Sequence, residues 1–299
     1  MPVVAAVVVT YNSASHLGDL LDSLPAAFGS VSGVTVVVDN GSTDGTLDLA
    51  RSRTDCIVIA ETNRGYGAGL NRGAQQVDEA DFVLALNPDA TLRPGSIEAL
   101  VAASASRPDA GVVVPKVFEL DDELSLSLRR DPTLGRVGGL SFTKSPRFSE
   151  IVYDPDEYRR EHVVDWAMGA VMLIRRECWD ALDGFDESYF LYSEETDFCL
   201  RARDRGWTTL YAPTAVVMHI GGGSGESTTT HVMKMVNRVR IYRRRHKALA
   251  SGTYLVLAVV TEVRRALLGR RASWAAANAL LRPSRRPAAL GCSDSWLPK

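Results

Sequence analysis

Residues 3–12 read VVAAVVVTYN and residues 34–46 read VTVVVDNGSTDGT, and these two stretches decide the fold. Each begins with an unbroken run of small or β-branched apolar residues and ends in polar residues that favour turns. A strand without apolar–polar alternation is typical of a sheet that is covered on both faces. The segment between them, residues 16–27, has the spacing of an amphipathic helix. The sequence therefore predicts parallel strands joined by helices.

The same alternation of strand and helix continues through the first half of the chain. Further apolar runs predict strands at residues 56–60, 82–86 and 111–114. Helical patterns separate them at residues 47–53, 70–77 and 94–106. We therefore predict an α/β fold with a Rossmann-like, mostly parallel sheet and helices on both faces. Ligands of such sheets bind beyond the carboxyl ends of the strands, where the polar breaks of this region fall.

Composition limits the class of protein. The chain has 299 residues, of which 45% are hydrophobic and 23% charged, and this excludes collagen, coiled coil and wholesale disorder. The four cysteines lie far apart, so a reducing compartment fits better than a disulfide framework. We assign residues 1–225 to one domain with halves 1–115 and 116–225, followed by a basic helical extension over 226–282 and a disordered tail over 283–299.

Charge is distributed unevenly along the chain. Residues 1–230 carry 19 Lys or Arg and 34 Asp or Glu, a net −15, whereas residues 231–299 carry 15 and 2, a net +13. Apolar residues interleave with the cations of 231–271, and no apolar stretch approaches the ~20 residues that span a bilayer. Such a helix is typical of an anionic membrane surface. A solvated helix or a homo-oligomer interface is the alternative, and the acidic body argues against nucleic acid.

Several motifs stand in a fixed order along residues 3–225. They are TYN at 10–12, DNGSTDGT at 39–46, NRGYG at 63–67 with Asn71, NPD at 87–89, GFDE at 184–187 and EETDFCLR at 194–201. In this order they resemble the family 2 glycosyltransferases. The resemblance implies a GT-A fold and the transfer of a sugar from a nucleoside diphosphate, with inversion at its anomeric carbon.

The resemblance also implies that the first half holds the donor. Asp39, with Thr10 and Tyr11 beside it, would accept the imide N–H of a uracil or thymine, although the same aspartate is suited to capping its own turn. Backbone amides and Arg64 after the third strand would meet the diphosphate. The expected donor-binding residues are Thr10, Tyr11, Asn12, Asp39, Asn40, Arg64, Gly65, Asn71 and Asn87.

A divalent metal site is implied where the family carries an Asp-x-Asp motif. Here the motif is Asn87-Pro88-Asp89, so an amide replaces the first acid. Asp89 remains a ligand for Mg²⁺ or Mn²⁺, and His219 is the second expected ligand. The alternatives are a plain turn at residues 87–89 and a structural histidine.

The general base is expected at the start of a helix predicted over residues 193–205. The resemblance assigns it to Glu195, with Glu194 as the alternative, because an inverting transfer needs one carboxylate to take the proton of the acceptor hydroxyl. Acids at this position also complement a helix dipole. The expected acceptor-binding residues, of which the tryptophan is equally suited to the core, are Trp166, Gly169 and Asp186.

These versions of the motifs are similar to those of bacterial rhamnosyltransferases of cell-wall or O-antigen assembly. The resemblance implies dTDP-L-rhamnose as the donor, a polyprenyl diphosphate-linked saccharide as the acceptor, and a peripheral enzyme at the cytoplasmic face of a membrane. A UDP-sugar donor is the alternative within the enzyme class. A nucleotidyltransferase is disfavoured because residues 10–15 lack a glycine-rich basic loop. A membrane scaffold with a degenerate site is the alternative outside the enzyme class.

Overall fold

A computed structural model describes residues 1–119, 121–220 and 227–290. Its strands are Val3–Thr10 (β1), Ser32–Asp39 (β2), Cys56–Ala60 (β3), Phe82–Leu86 (β4), Ala90–Leu92 (β5), Ala110–Phe118 (β6), Leu128–Arg129 (β7), His162–Val164 (β8), Trp166–Ala167 (β9), Val171–Arg175 (β10) and Thr208–His219 (β11). Its α-helices are Leu17–Phe28 (α1), Thr46–Arg51 (α2), Tyr66–Ala74 (α3), Ser96–Ser106 (α4), Leu134–Val137 (α5), Arg176–Ala181 (α6), Glu194–Asp204 (α7), Thr228–Arg245 (α8), Ala248–Leu267 (α9) and Arg271–Leu281 (α10).

The main sheet has nine strands in the order β3-β2-β1-β4-β10-β6-β11-β5, and β8 pairs with β11 outside this path. The first four are mutually parallel, and β11 runs parallel to β6. Strand β10 lies antiparallel between β4 and β6, and β5 and β8 run antiparallel to β11. Helices cover both faces. The predicted α/β class with a mostly parallel sheet is confirmed, and the antiparallel strands all lie outside the first four.

The lack of alternation in β1 follows from burial on both sides of the sheet. Val4 and Val8 belong to a core layer with residues of α1 and α4. Val7 and Val9 belong to the opposite layer, with residues of α3, α6 and α7. Burying one such side chain contributes about 1.5–3 kcal/mol to folding stability. Replacing any of these valines by a polar residue would therefore be strongly destabilising.

The C-terminal helices build a third core of their own. Val236 of α8, Tyr254 of α9 and Leu280 of α10 are fully buried in it. The Tyr254 ring stacks on the Tyr242 ring with their centroids 3.9 Å apart. The predicted extension is thus helical, but the apolar side of α8 packs within the protein. The sequence predicted membrane contact through the apolar side of α8. That part of the prediction is wrong, because these side chains are buried in the third core.

The end of the described chain also differs from the prediction. Residues 283–290, expected to be disordered, form the 3₁₀ turns Pro283–Arg285 and Ala288–Leu290. Leu290 is fully buried, and the Arg286 side chain donates hydrogen bonds to the carbonyls of Ala279 and Leu280. Capping of the α10 carbonyls thus fixes this segment. Residues 291–299 and the predicted boundary at residue 225 lie outside the described residues.

Candidate active site

The carboxyl ends of β1 and β2 lie side by side at one edge of the sheet. Thr10 and Asp39 are paired across the two strands and are fully buried. Thr10 Oγ1 donates a hydrogen bond to Asp39 Oδ1 at 3.0 Å, and the Ser42 amide and hydroxyl donate to the same carboxylate at 3.0 and 2.5 Å. Asp39 therefore caps its own turn. A carboxylate has about four acceptor sites, so one is left for a ligand.

The loop after β1 is tied to the loop after β2. Asn12 has a left-handed φ of 52°, and its Oδ1 accepts a hydrogen bond from the Thr43 amide at 2.8 Å. The backbone N–H of Asn12 donates a hydrogen bond to Ser42 Oγ at 2.9 Å. These bonds give Asn12 a structural role in holding the two loops together as one wall. Tyr11 stands next to it with 55% of its surface exposed.

The NRGYG motif lies at the start of α3, because the helix begins at Tyr66 and not at residue 70 as predicted. Gly65 has a φ of 104°, and a Cβ added there would lie 2.3 Å from the Phe190 carbonyl oxygen. The Tyr66 amide donates to that oxygen at 3.0 Å. Asn40 Nδ2 donates to the Gly65 carbonyl at 3.2 Å. Only glycine allows this close approach between the two halves.

Arg64 and Asn71 connect the halves as well. The Asn71 amide donates to the Phe185 carbonyl, and its Oδ1 accepts from the Phe185 amide, both at 2.9 Å. These bonds commit both ends of the side chain and give Asn71 a connecting role, while its contact with the donor stays a prediction. The exposed Arg64 guanidinium lies 2.5 Å from Glu187 Oε2.

Asp89 and His219 face each other, as expected for ligands of one metal ion. Strand β5 follows Asp89 directly and pairs with the end of β11, which places His219 opposite Ala90. His219 Nε2 is buried and lies 3.1 Å from Asp89 Oδ1, without the alignment of a hydrogen bond. Burial opposes ionisation of Asp89, but His219, a backbone N–H and the more distant His16 together lower the pKa of the carboxyl, which favours the anion.

These two side chains fit a divalent cation, which prefers an anionic oxygen and tolerates a histidine nitrogen. No cluster of three or more His, Cys, Asp or Glu within residues 1–119, 121–220 and 227–290 could hold a metal. Two candidate ligands for one cation are thus side by side in the described part of the chain.

Glu194 and Glu195 open α7, directly after two residues with left-handed φ angles, Tyr192 at 67° and Ser193 at 77°. Glu194 is 4% exposed, and its Oε2 has no hydrogen-bond partner among the described residues. Burial raises the pKa of both carboxyls, and raises that of Glu194 further because Glu195 lies beside it. Backbone N–H groups and Lys234 oppose the rise for Glu195. Glu195 is therefore the acid that ionises first.

A short path of contacts joins the NPD motif to the start of α7. The backbone N–H of Asn87 donates a hydrogen bond to the Ala170 carbonyl at 2.9 Å. A Cβ added to the neighbouring Gly169 would lie 3.1 Å from the Cβ of Glu195. The absence of a side chain at residue 169 thus lets the glutamate approach the strand end. Asn87 and Glu195, which come from different halves, are separated by only two residues of backbone.

Tyr66 lies among the acids of both halves. Its hydroxyl is buried and has no hydrogen-bond partner in the described part of the chain. Burial raises the pKa of this hydroxyl far above its usual value, and the charges of Glu194, Glu195 and Asp89 raise it further. Four polar side chains from three motifs therefore lie close enough together for their charges to interact.

Two of the expected acceptor-binding residues serve the protein's own packing. The Trp166 indole N–H donates to the Arg130 carbonyl at 3.0 Å, and the ring packs against the second core layer. The Asp186 carboxylate accepts a hydrogen bond from the Ser188 amide and lies 2.5 Å from an Arg244 nitrogen. The packing of Trp166 fits the core alternative and Asp186 forms an ion pair, while the acceptor contacts of both residues stay predictions.

Three residues near the two glutamates were not expected there. Tyr66 is part of a recognised motif but had no assigned role. Lys234 of α8 lies close enough to Glu195 to favour its ionised form. Arg129 is attracted by Glu195 although burial lowers its pKa. It lies in a stretch without periodicity, so the sequence carries no signal for it.

Comparison with known proteins agrees with this geometry. The family model described as "Glycosyltransferase like family 2" matches residues 2–243. The chain is 35% identical over 237 residues to the N-acetylglucosaminyl-diphospho-decaprenol L-rhamnosyltransferase of Mycobacterium tuberculosis, covering 73% of this chain and 75% of that protein. It is 29% identical over 169 residues to the rhamnosyltransferase WbbL of Escherichia coli K12, covering 52% and 60%.

Solved structures share the fold. A Staphylococcus aureus TarS fragment, residues 1–349, superposes with a TM-score of 0.54 and 18% identity, over 97% of this chain and 82% of that one. The mannosyltransferase PcManGT of Pyrobaculum calidifontis, solved in complex with GDP-Man and Mn²⁺, gives a TM-score of 0.56 and 20% identity, over 97% and 85%. At these identities the likeness concerns the fold alone.

Proposed function

The chain belongs to the glycosyltransferase-like family 2, and on that premise we propose that it transfers L-rhamnose from dTDP-L-rhamnose to a polyprenyl diphosphate-linked saccharide. The choice of sugar and acceptor is supported by the similarity to the mycobacterial N-acetylglucosaminyl-diphospho-decaprenol L-rhamnosyltransferase, which is 35% identical. It is further supported by the proximity of polar side chains from both halves around Tyr66, because a transfer reaction needs a donor and an acceptor to meet.

The donor would lie over the carboxyl ends of β1, β2 and β4. One free acceptor site of the Asp39 carboxylate would take the imide N–H of thymine, and Tyr11 would lie against the ring. The backbone at the start of α3, around Gly65, would meet the diphosphate. Arg64 would turn from Glu187 to the same phosphates, which is a small change for an exposed side chain.

Asp89 and His219 would hold Mg²⁺ or Mn²⁺. The paired carboxylate and imidazole support this assignment, as does the anionic state that the histidine favours in Asp89. A cation held there would neutralise charge on the departing diphosphate.

Glu195 would act as the general base. The acceptor hydroxyl gives its proton to the Glu195 carboxylate while its oxygen attacks the anomeric carbon of the sugar. The bond between that carbon and the diphosphate oxygen breaks on the opposite face, and the nucleoside diphosphate leaves with the electron pair. Attack opposite the leaving group inverts the anomeric carbon.

The observation that carries the proposal is the path Asn87–Ala170–Gly169–Glu195, which brings the donor-side strand ends to the candidate base. A polyprenyl acceptor would put this reaction at a membrane surface. The enzyme would then work as a peripheral protein on the cytoplasmic face, where nucleotide sugars are available.

A donor panel tests the proposal. The full-length protein is mixed with dTDP-L-rhamnose, UDP-glucose, UDP-GlcNAc, UDP-galactofuranose or GDP-mannose, and donor binding is measured by calorimetry with and without Mg²⁺. Transfer to a short-chain polyprenyl diphosphate-linked GlcNAc is followed by mass spectrometry. We expect binding and transfer with dTDP-L-rhamnose and an increase in affinity with Mg²⁺.

The same panel distinguishes the proposed function from its alternatives. Preferred transfer from a UDP-sugar would keep the enzyme class and overturn the rhamnosyl assignment. Absence of binding to every donor would support a scaffold with a degenerate site, for which the amide at Asn87 is the structural argument.

A further inference from the structure

The outward side of α9 carries a stripe of exposed apolar residues. Leu249, Val256, Val260 and Leu267 are 86, 60, 58 and 73% exposed. Their spacing of seven, four and seven residues places them on one face of a helix. The stripe is roughly 27 Å long at the rise of an α-helix. The opposite side of α9, including Tyr254 and Ala258, faces the third core, so the exposed stripe is not needed for folding.

Further exposed apolar side chains lie at the C-terminal end of this stripe. Leu268 is 78% exposed, and Phe142 is 70% exposed. The Arg264 guanidinium, which belongs to the last turns of α9, lies 5.9 Å over the Phe142 ring. The same arginine donates to the Gly139 carbonyl and so holds this loop against α9. The term apolar face is used below for six residues: Phe142, Leu249, Val256, Val260, Leu267 and Leu268.

Charge around the apolar face has one sign. Residues 246–290 contain eight Lys or Arg residues and one acid, Glu262. That acid is 1% exposed and lies 2.7 Å from a nitrogen of Arg265 and 2.8 Å from one of His231. The cations exposed on this segment are Lys247, Arg264, Arg270, Arg271, Arg282 and Arg285.

Helix α8 differs from this segment. Its Arg238, Arg244 and Arg245 pair with Glu150, Asp186 and Asp204 of the body. The positive charge of α8 is thus used within the protein. In α9, α10 and the turns that follow them, Arg265 pairs with Glu262 and Arg286 is buried, whereas the six cations named above are exposed to solvent.

We propose that the apolar face docks on an anionic lipid bilayer, with α9 lying in the headgroup region and the exposed arginines on lipid phosphates. An exposed apolar stripe beside cations is what such an interface binds. No described helix is long and apolar enough to cross a bilayer, so the contact is peripheral. A second copy of the chain would bring the same positive charge against the face, and nucleic acid would leave the leucines and valines without a partner.

The proposal does not rest on the identity of the donor or of the acceptor. It assigns membrane contact to α9 and to the loop that carries Phe142. Helix α8 is not part of this membrane-binding surface. Failure of the proposed function would appear in the donor panel, whereas failure of this inference appears only in lipid binding.

Vesicle sedimentation tests the apolar part of the surface. The full-length protein and V256D/V260D are mixed with vesicles of phosphatidylcholine, with and without phosphatidylglycerol. Ile57, 41% exposed on the edge strand β3, provides the matched control I57D. We expect the double variant to bind anionic vesicles on the order of tenfold more weakly, and I57D to bind like the wild type. Equal binding by all three proteins would overturn the proposal.

Charge reversal tests the basic part. R270E/R271E is compared with R51E/R107E, which changes the same charge at exposed arginines elsewhere. We expect on the order of tenfold weaker binding only for the first pair, and loss of wild-type binding at high salt. Calorimetric donor binding and circular dichroism should not change in any variant. A wild-type dimer that V256D/V260D dissociates, with no vesicle binding, would assign the face to a second copy and contradict the proposal.

Discussion

The two acids at the start of α7 have the same chemistry and different surroundings. Glu194 is enclosed and leaves one oxygen without a hydrogen-bond partner, whereas Glu195 stands against the backbone of Gly169. Burial of an unpartnered carboxylate is unfavourable unless it keeps its proton. Burial thus favours the neutral form of Glu194 more strongly than that of Glu195, and this difference supports the proposal of Glu195 as the base.

Replacing Glu194 by glutamine tests its protonation state. Because burial raises the pKa of Glu194 in the folded state, the unfolded chain loses the proton first as pH rises. Folding stability from the neutral carboxyl is therefore complete below the unfolded pKa and is lost as pH rises toward the folded pKa. E194Q cannot ionise, so we expect its melting temperature to exceed that of the wild type by about 2–5 °C near pH 8.

The pH dependence separates this effect from better packing. The difference in melting temperature between E194Q and wild type should vanish near pH 4, where both side chains are neutral. Turnover of E194Q should stay within about tenfold of the wild type, since the base is the neighbouring residue. A stabilisation independent of pH would sink the assignment of a buried proton to Glu194.

Helix α8 holds the loop that leads to the two glutamates. Asn237 is fully buried, and its amide donates to the carbonyls of Leu191 and Tyr192 at 3.0 and 2.9 Å. The guanidinium groups of Arg240 and Arg244 lie 4.6 and 4.9 Å from the Tyr189 ring. An element far along the chain thus fixes the left-handed turn before α7.

Removal of the Asn237 side chain is expected to affect the chemical step. N237A removes two hydrogen bonds to part-buried carbonyls, which costs about 1–3 kcal/mol of folding stability. Misplacement of Glu195 should lower kcat on the order of tenfold while KM for the donor changes little. Asn278, which bonds only within α10, provides the matched control N278A. Equal kcat in both variants would show that α8 does not position the base.

The elements of the first half follow from the sequence because their signals are local. Unbroken β-branched runs and turn residues gave the bounds of β3 and β4 to the residue. Helix α8 was placed, but its environment was not, because the partners of Arg238, Arg244 and Arg245 come from distant parts of the chain. A basic helix beside solvent, lipid or an acidic domain has the same sequence pattern.

At the scale of the whole molecule, part of the opposite charge on the body and the C-terminal segment is paired within the protein. The acidic body and the basic C-terminal segment meet through α8, whose arginines pair with Glu150, Asp186 and Asp204. The Arg238–Glu150 pair is enclosed and also bonded to the Tyr254 hydroxyl. The C-terminal helices therefore belong to the folding unit of the acceptor half.

Truncation tests this unity. Deleting residues 227–299 removes α8 and exposes the acids and carbonyls that it satisfies, so we expect the shortened protein to lose a single cooperative melting transition. Circular dichroism measures the outcome. A truncated protein that melts cooperatively near the wild-type temperature would make the extension a separable module.

The location of the candidate site could be predicted from the sequence, but several roles within it could not. The rule for parallel sheets placed the polar breaks after β1, β2 and β4 at one edge, and the structure has them there. The roles of Asn71 and Asp186 were missed because their partners, Phe185 and Arg244, are determined by tertiary packing. Arg129 and Asn237 were missed for the same reason.

The central claim is that the first half binds the activated sugar while Glu195, from the second, takes the proton of the acceptor. The most direct test measures donor affinity by calorimetry and turnover in the same preparation of E195Q, with E194Q as the matched control. We expect unchanged donor affinity and a fall in kcat of about 10²–10⁴-fold for E195Q alone. Wild-type turnover by E195Q, or loss of donor binding together with turnover, would contradict the account.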